Sequence, residues 1–210
     1  DPRITVAVNV TDWLQPYVTW SRSMRAPTLQ ETMLGGDHPG TASATFVPNP
    51  DLKPETQQGW EFGVNIQTRR LLTDNDNLRL RANYFIMDVD DYIAAAYSPA
   101  LRAYRFVNVE GSSQVDGFEF EANYDARVAF GSVNYTYTHS NLSSQVPGLG
   151  ASQYTPDNVV AVTAGGRLFD ERLTLGARYT YTSGGLVAGT NAAGTAGLAT
   201  DGGKPYNLFD

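Results

Sequence analysis

The stretch 59-GWEFGVNIQ-67 changes character at every residue. Trp60, Phe62, Val64 and Ile66 fall on one side of an extended chain, and Glu61, Gly63, Asn65 and Gln67 fall on the other. A period of two marks a strand with one apolar and one polar face. The pattern recurs outward from there. In 77-NLRLRANYFI-86, Leu78, Leu80, Ala82, Tyr84 and Ile86 alternate with Arg79, Arg81, Asn83 and Phe85. The stretches 117-GFEFEANYD-125 and 173-LTLGARYTYT-182 repeat it, and weaker versions run through 4–10, 17–23, 129–138 and 159–168. About nine strands follow, the last beginning near Lys204.

The connections between them alternate in length. Short polar turns lie at 11–16, 72–77, 125–127 and 169–172; long connections lie at 24–56, near 94–104, at 141–157 and at 185–203. Tight turns at one end of a meander and large loops at the other describe a transmembrane β-barrel, and Tyr at the ends of several apolar rows suits its aromatic girdle. A soluble sandwich or lipocalin-like barrel alternates too, and alternation does not say which face is inside. Two features favour the membrane. The run 77–93 exceeds ordinary strand length, and the polar faces carry Glu, Arg, Asn and Thr as a wet or plugged lumen would. The expected fold is therefore all-β, an antiparallel transmembrane β-barrel. Nine strands with open edges leave unpaired backbone groups in lipid, so residues 1–210 are expected to form part of one larger barrel domain.

Composition agrees. Of 210 residues 41% are hydrophobic, with 12 Tyr, 9 Phe, 3 Trp and 20 Gly, a mixture that favours strands and turns. A net charge of −7 argues against nucleic acid as a partner. The absence of cysteine removes disulfide frameworks, thiol nucleophiles and zinc knuckles, and suits export through an oxidising space. No run of ~18 apolar residues exists to form a membrane helix, which leaves a barrel untouched. Asp1-Pro2 does not open a signal peptide, so an exported protein is expected to have lost that segment or to extend beyond this chain. No nucleophile elbow, zinc-protease helix or phosphate loop is present. The pair Glu119 and Glu121 shares one strand face, which is ordinary for a polar lumen. An enzyme is not expected.

The longest connection reads 25-RAPTLQETMLGGDHPGTASATFVPNPDLKPET-56 and holds His38, one of two histidines. The stretch 17-YVTWSRSMRAPTLQE-31 resembles the FRAP box of TonB-dependent outer-membrane receptors, with Met24 in place of Phe. The stretch 49-NPDLKPET-56 resembles their NPNL-KPE box, with Asp51 in place of Asn. The pieces 82-ANYFIMDVDDYI-93, 108-NVEGSSQVDGFEFEANY-124 and 204-KPYNLFD-210 resemble successive later strands of those barrels. The resemblance implies a bacterial outer-membrane protein, with a barrel of about 22 strands around an N-terminal plug. Import would be driven by TonB through the plug region. It makes this chain about strands 12 to 20, with the plug and the last strands absent.

Haem receptors of this group carry a histidine between the two boxes as an axial ligand to haem iron, and His38 falls there. The stretch 28-TLQETMLGGDHPG-40 looks most like the haemophore-receptor type. The resemblance thus implies haem as the transported ligand, delivered by a haemophore or haemoprotein at the external loops, with a second iron ligand on the plug. A siderophore receptor, in which His38 is incidental, is the alternative within the family; a soluble secreted β-rich binding domain is the alternative outside it.

The residues fit the haem reading chemically. Neutral imidazole binds iron well when its other nitrogen is held by a hydrogen bond. Gly35 and Gly36 give the chain freedom before His38 and Pro39 stiffens it after. Met33, Leu34, Phe46 and Val47 are candidates for contact with porphyrin edges, and Asp37 for orienting the ring. His139 follows Val133, Tyr135 and Tyr137 in parity and reads as a rim residue, with iron ligation as the reserve reading. Arg25 and Glu55 stand at the two feet of the loop, where an ion pair is expected. Arg22, Arg102 and Arg105 read as solvated rim or lumen residues, with the pairing of haem propionates as the alternative reading. Asp88, Asp90 and Asp91 fit no calcium loop. The segment 185–203, rich in Gly and Ala, reads as a flexible loop without a motif.

Overall fold

The computed structural model describes residues 1–37, 45–140, 156–190 and 196–210, with 185–190 and 196–203 as backbone only. In chain order the elements are β1 (Arg3–Ala7), β2 (Leu14–Arg25), α1 (Leu29–Met33), β3 (Gly36–Asp37), β4 (Thr45–Phe46), β5 (Glu55–Arg69), β6 (Asn77–Asp90) and β7 (Ile93–Ser98). There follow β8 (Ala103–Asn108), β9 (Ser112–Asp125), β10 (Ala129–Ser140), β11 (Asn158–Leu168), β12 (Leu173–Thr182), β13 (Gly185–Thr190), β14 (Ala196–Gly203) and β15 (Tyr206–Phe209). Nine of them pair in the order β1-β2-β5-β6-β9-β10-β11-β12-β15. Every pairing in this sheet is antiparallel, so it is a meander, open between β1 and β15.

The nine strands are the nine that alternation marks. The long connections differ from expectation. The run 77–93 is not one strand: β6 stops at Asp90, and Asp91 turns the chain with φ 54 before β7 starts. Residues 93–108 form a hairpin of β7 on β8 rather than a loop. The connection 24–56 holds a helix and two short strands, and β13 pairs with β14 within 185–203. Much of the connection 141–157 lies outside the described residues.

Register separates the faces. Val18, Phe62, Tyr84, Phe118 and Tyr137 stand opposite one another from β2 to β10 and form one lateral row. On the other face Tyr17, Gly63, Asn83, Glu119 and Thr136 form the matching row. Burial runs opposite to that of a water-soluble sheet. Trp60, Phe62 and Leu175 on the apolar face are 49%, 51% and 57% exposed, whereas Thr19 and Asn83 on the polar face are 3% and 4% exposed. An uncovered apolar band this wide is what a lipid-facing barrel wall presents.

The polar face is knitted by hydrogen bonds. The Tyr17 hydroxyl donates to Glu61 at 2.7 Å, and Arg81 donates to Glu61 and to Tyr17, each at 3.0 Å. Asn83 and Asn123 donate to Glu119 and Glu121 at 3.2 and 2.8 Å. At the short-turn end the Asp76 carboxylate accepts from the N–H groups of Leu71, Leu72 and Thr73 at 2.6–2.7 Å, and from the Tyr124 hydroxyl at 2.9 Å. Asp125 and Arg167 form a two-pronged pair at 2.9 and 2.8 Å.

Candidate functional site

The second sheet, β3-β4-β8-β7, gathers at the long-connection end and frames the segment that carries His38. Its first leg leaves β2 through 26-APT-28 into α1. A five-residue helix is too short to hold itself. Here it is capped: Thr28 Oγ1 accepts from Glu31 N–H at 3.2 Å while Glu31 accepts from Thr28 N–H at 2.7 Å. This T-x-x-E capping box is written in the sequence at 28–31 and was a readable start signal. Arg25 then donates a fork to Glu31 at 2.9 and 3.0 Å. Burial pushes the Glu31 carboxyl up, but the bonds from Arg25 and Thr28 outweigh it and hold it below the usual range.

The second leg returns through β4. Phe46 is buried, with its ring 5.8 Å from that of Tyr104 and 6.0 Å from that of Phe106. Val47 N–H donates to Tyr104 O at 2.9 Å. Buried Asn49 reaches both legs: its N–H donates to Thr32 O at 2.9 Å and its side chain to Phe106 O at 2.8 Å. Asn108 donates to Lys53 O at 3.0 Å and to Asp91 O at 2.7 Å. The NPDLKPE stretch is therefore stitched to the β7–β8 hairpin along most of its length.

At the feet the expected ion pair is present: Arg25 Nε lies 2.5 Å from Glu55 Oε2. The other oxygen of Glu55 accepts from Ile93 N–H at 2.7 Å. At the far end β3 pairs with β4 through Gly36 with Phe46 and Asp37 with Thr45. Gly36 has φ 103, a conformation that L side chains rarely adopt. The Thr45 hydroxyl donates to Asp37 at 2.7 Å, so this carboxylate is engaged with its partner strand.

His38 itself, with Pro39 and the rest of 38–44, lies outside the described residues. Its described flanks divide. Met33 is exposed and Leu34 and Val47 are half-buried, while Phe46 belongs to the small core of the second sheet. His139 occupies the rim: it stands opposite Asp116 in the apolar-face parity, with Nδ1 3.1 Å from the Asp116 carboxylate. The three arginines sit on different supports. Arg22 shares the outward parity of Trp20, Arg102 sits in the β7–β8 turn with φ 50, and Arg105 lies on β8 opposite Ala96. Arg105 Nε is buried without a hydrogen-bond partner. Asp88 and Asp90 follow the outward parity, and among the described residues no group of three or more His, Cys, Asp or Glu is placed to hold a metal.

Comparison with known proteins agrees with this geometry. The family model described as "TonB dependent receptor-like, beta-barrel" matches residues 1–210. A hemin receptor of Yersinia pestis is 26% identical over 167 residues, which cover 76% of this chain and 24% of that protein. A hemin receptor of Yersinia enterocolitica is 35% identical over 98 residues, 44% of this chain and 14% of that protein. Among solved structures, a double mutant of the Serratia marcescens haemophore receptor HasR, in complex with its haemophore HasA and haem, superposes with a TM-score of 0.77. The identity is 27%, covering 99% of this chain and 32% of that one. This chain spans about a third or less of each. These relatives are receptors, not enzymes.

Proposed function

The chain belongs to the TonB-dependent receptor β-barrels, and from that membership we propose that the complete protein is an outer-membrane receptor that imports haem. In this reading the nine strands are about strands 12 to 20 of a roughly 22-stranded barrel. Haem is the cargo, His38 is an axial ligand to its iron, and a second ligand comes from the plug. A haemophore or haemoprotein delivers the cargo at the external connections, and TonB drives import through the plug region. The Yersinia hemin receptors and the haem-bound HasR complex support the choice of cargo.

One observation carries the reading. The two boxes fold into a single frame, joined by Arg25 and Glu55, and the segment with His38 leaves it beside Asp37 and re-enters at Thr45. A ligand for a bulky planar cargo needs a fixed base beyond the wall, and the capped helix and the β3–β4 pair supply one on either side of 38–44, which supports the reading. The test is the complete receptor loaded with haem. Replacing His38 with Ala is expected to change the Soret spectrum and weaken haem retention. An unchanged spectrum and affinity overturns the ligand assignment and favours another ferric chelate as cargo.

A further inference from the structure

On β6 the polar face of the wall gives way to an apolar one. Its lumen side reads Arg79, Arg81 and Asn83 in the first half and Phe85, Met87 and Val89 in the second, the half that leads to the second sheet. Glycines directly opposite on the neighbouring strands let Phe85 and Met87 lie flat. A Cβ at Gly117 on β9 would stand 2.5 Å from the Phe85 ring, and one at Gly59 on β5 would stand 2.7 Å from Met87 Cγ. Gln57 donates to Met87 Sδ at 2.7 Å and holds the thioether there, and Val115 faces Met87 from β9. Two other lumen rings lie over glycines, but polar groups tie or cover them. Tyr17, over Gly63, bonds Glu61 and Arg81 through its hydroxyl, and Phe130, over Gly165, carries the Arg167 guanidinium 4.8 Å from its centroid. Among the described residues no ring or cation stacks on Phe85, which stays half-buried. Phe85 and Met87 border a hollow of about 380 Å³, with Asn83 and Glu119 on its polar side and Arg3 at its edge. Arg3 lies 3.7 Å from Glu61, too far for a hydrogen bond, and its side chain is 65% exposed.

We propose that Phe85 and Met87 form a shelf inside the lumen that takes the flat face of a porphyrin-class cargo after it leaves the external platform. The proposal rests on the cargo reading and is independent of the iron ligand. An apolar area left open to a wet lumen costs free energy that a covering apolar face recovers. A porphyrin is rigid, planar and apolar on its faces, so little ordering opposes the contact. An aromatic ring and a thioether are both polarisable surfaces that suit such a face. Carboxylates at the edge of the macrocycle meet Arg3, whose guanidinium is free to fork onto them. A contact of this kind, with no metal bond in it, holds the cargo weakly enough to release it, as a transit point requires. The competing occupant of the shelf is the plug.

The complete receptor in detergent tests this by titration with metal-free protoporphyrin, which offers the planar face and the carboxylates but no iron, and whose fluorescence reports binding. Haem, followed by its Soret band, is titrated in parallel. Phe85→Ser combined with Met87→Ser is expected to weaken porphyrin binding roughly tenfold, the size that a modest loss of apolar contact gives. Phe85→Leu combined with Met87→Leu keeps the apolar surface and is expected to stay within about threefold of the parent. Porphyrin affinity that the serine pair leaves unchanged overturns the shelf, while the haem reading stands on its own titration. If the unfolding midpoint of that variant falls at the same time, the plug is the occupant. An equal loss in the serine and leucine pairs also overturns the shelf, because the effect then follows a disturbed wall and not the apolar surface. A parent receptor that binds neither haem nor porphyrin removes the cargo reading, and the shelf with it.

Discussion

Tyr17 lies flat across Gly63 on the neighbouring strand, so close that a Cβ at Gly63 would stand 2.3 Å from the Tyr17 ring. The ring cannot swing clear without breaking its hydroxyl bonds with Glu61 and Arg81. Glycine here makes room for the aromatic bridge that links β2, β5 and β6 on the polar face. Replacing Gly63 with Ala is expected to destabilise the barrel by about 1–3 kcal/mol, the usual range for overpacking. Urea unfolding of the refolded protein measures it. Adding Tyr17→Ala should recover part of the loss, because the two changes share one clash; strict additivity would show that the contact is not the cause.

Asp76 predicts an acid response at the short-turn end. Burial raises its carboxyl, but the N–H groups of Leu72, Thr73 and Leu71 and the Tyr124 hydroxyl outweigh it and pull the pKa from 3.8 to about 2. A depressed carboxyl stabilises the fold when ionised. Its contribution is complete above the unfolded value and is lost as pH falls through the folded one. Asp76→Asn should therefore be less stable than the parent at neutral pH, with the gap closing between about pH 4 and pH 2. A gap that stays constant across that range would refute the assignment.

The turn 169-FDER-172 holds Phe169, Asp170 and Glu171 at φ 55, 53 and 68 in succession. Left-handed conformations cost L residues of this kind roughly 1 kcal/mol each, while glycine adopts them freely at some entropic cost in the unfolded chain. Asp170→Gly is expected to raise stability by up to about 1 kcal/mol, read as a higher unfolding midpoint. A drop would mean that the Asp170 side chain contributes something its backbone angle does not show.

Sequence showed the wall clearly and the platform only in part, for physical reasons. Each strand of the wall separates two solvents, so residues such as Leu80 and Arg81 must alternate, and that is a signal periodicity detects. The β7–β8 hairpin separates none: Ile93, Ala94, Ala95 and Ala103 are all buried, so 93-IAAAYS-98 does not alternate and reads as a loop. The break at Asp91 is a single backbone angle that no pattern announces. The pairing of Arg25 with Glu55 was legible because both sit in recognisable boxes. Their bonds to Glu31 and to Ile93 N–H were not, because they depend on how α1 and β7 fold back onto the wall.

Neighbouring residues on β10 offer the sharpest test of which face meets lipid. Val133 belongs to the apolar row with Ala122 and Val162, while Asn134 stands on the polar face opposite Glu121. Both lie near the middle of β10, where a charge in hydrocarbon costs most. Val133→Arg is expected to destabilise the protein by roughly 2–4 kcal/mol in lipid vesicles. Asn134→Arg should be close to neutral, because its side chain enters the lumen beside a carboxylate that is bonded to an amide and not to a cation. Reversible urea unfolding of the complete receptor in vesicles compares the two. Equal costs, or a larger one at Asn134, would turn the sheet inside out and remove the barrel reading, since one residue's step along a strand is all that separates lipid from lumen.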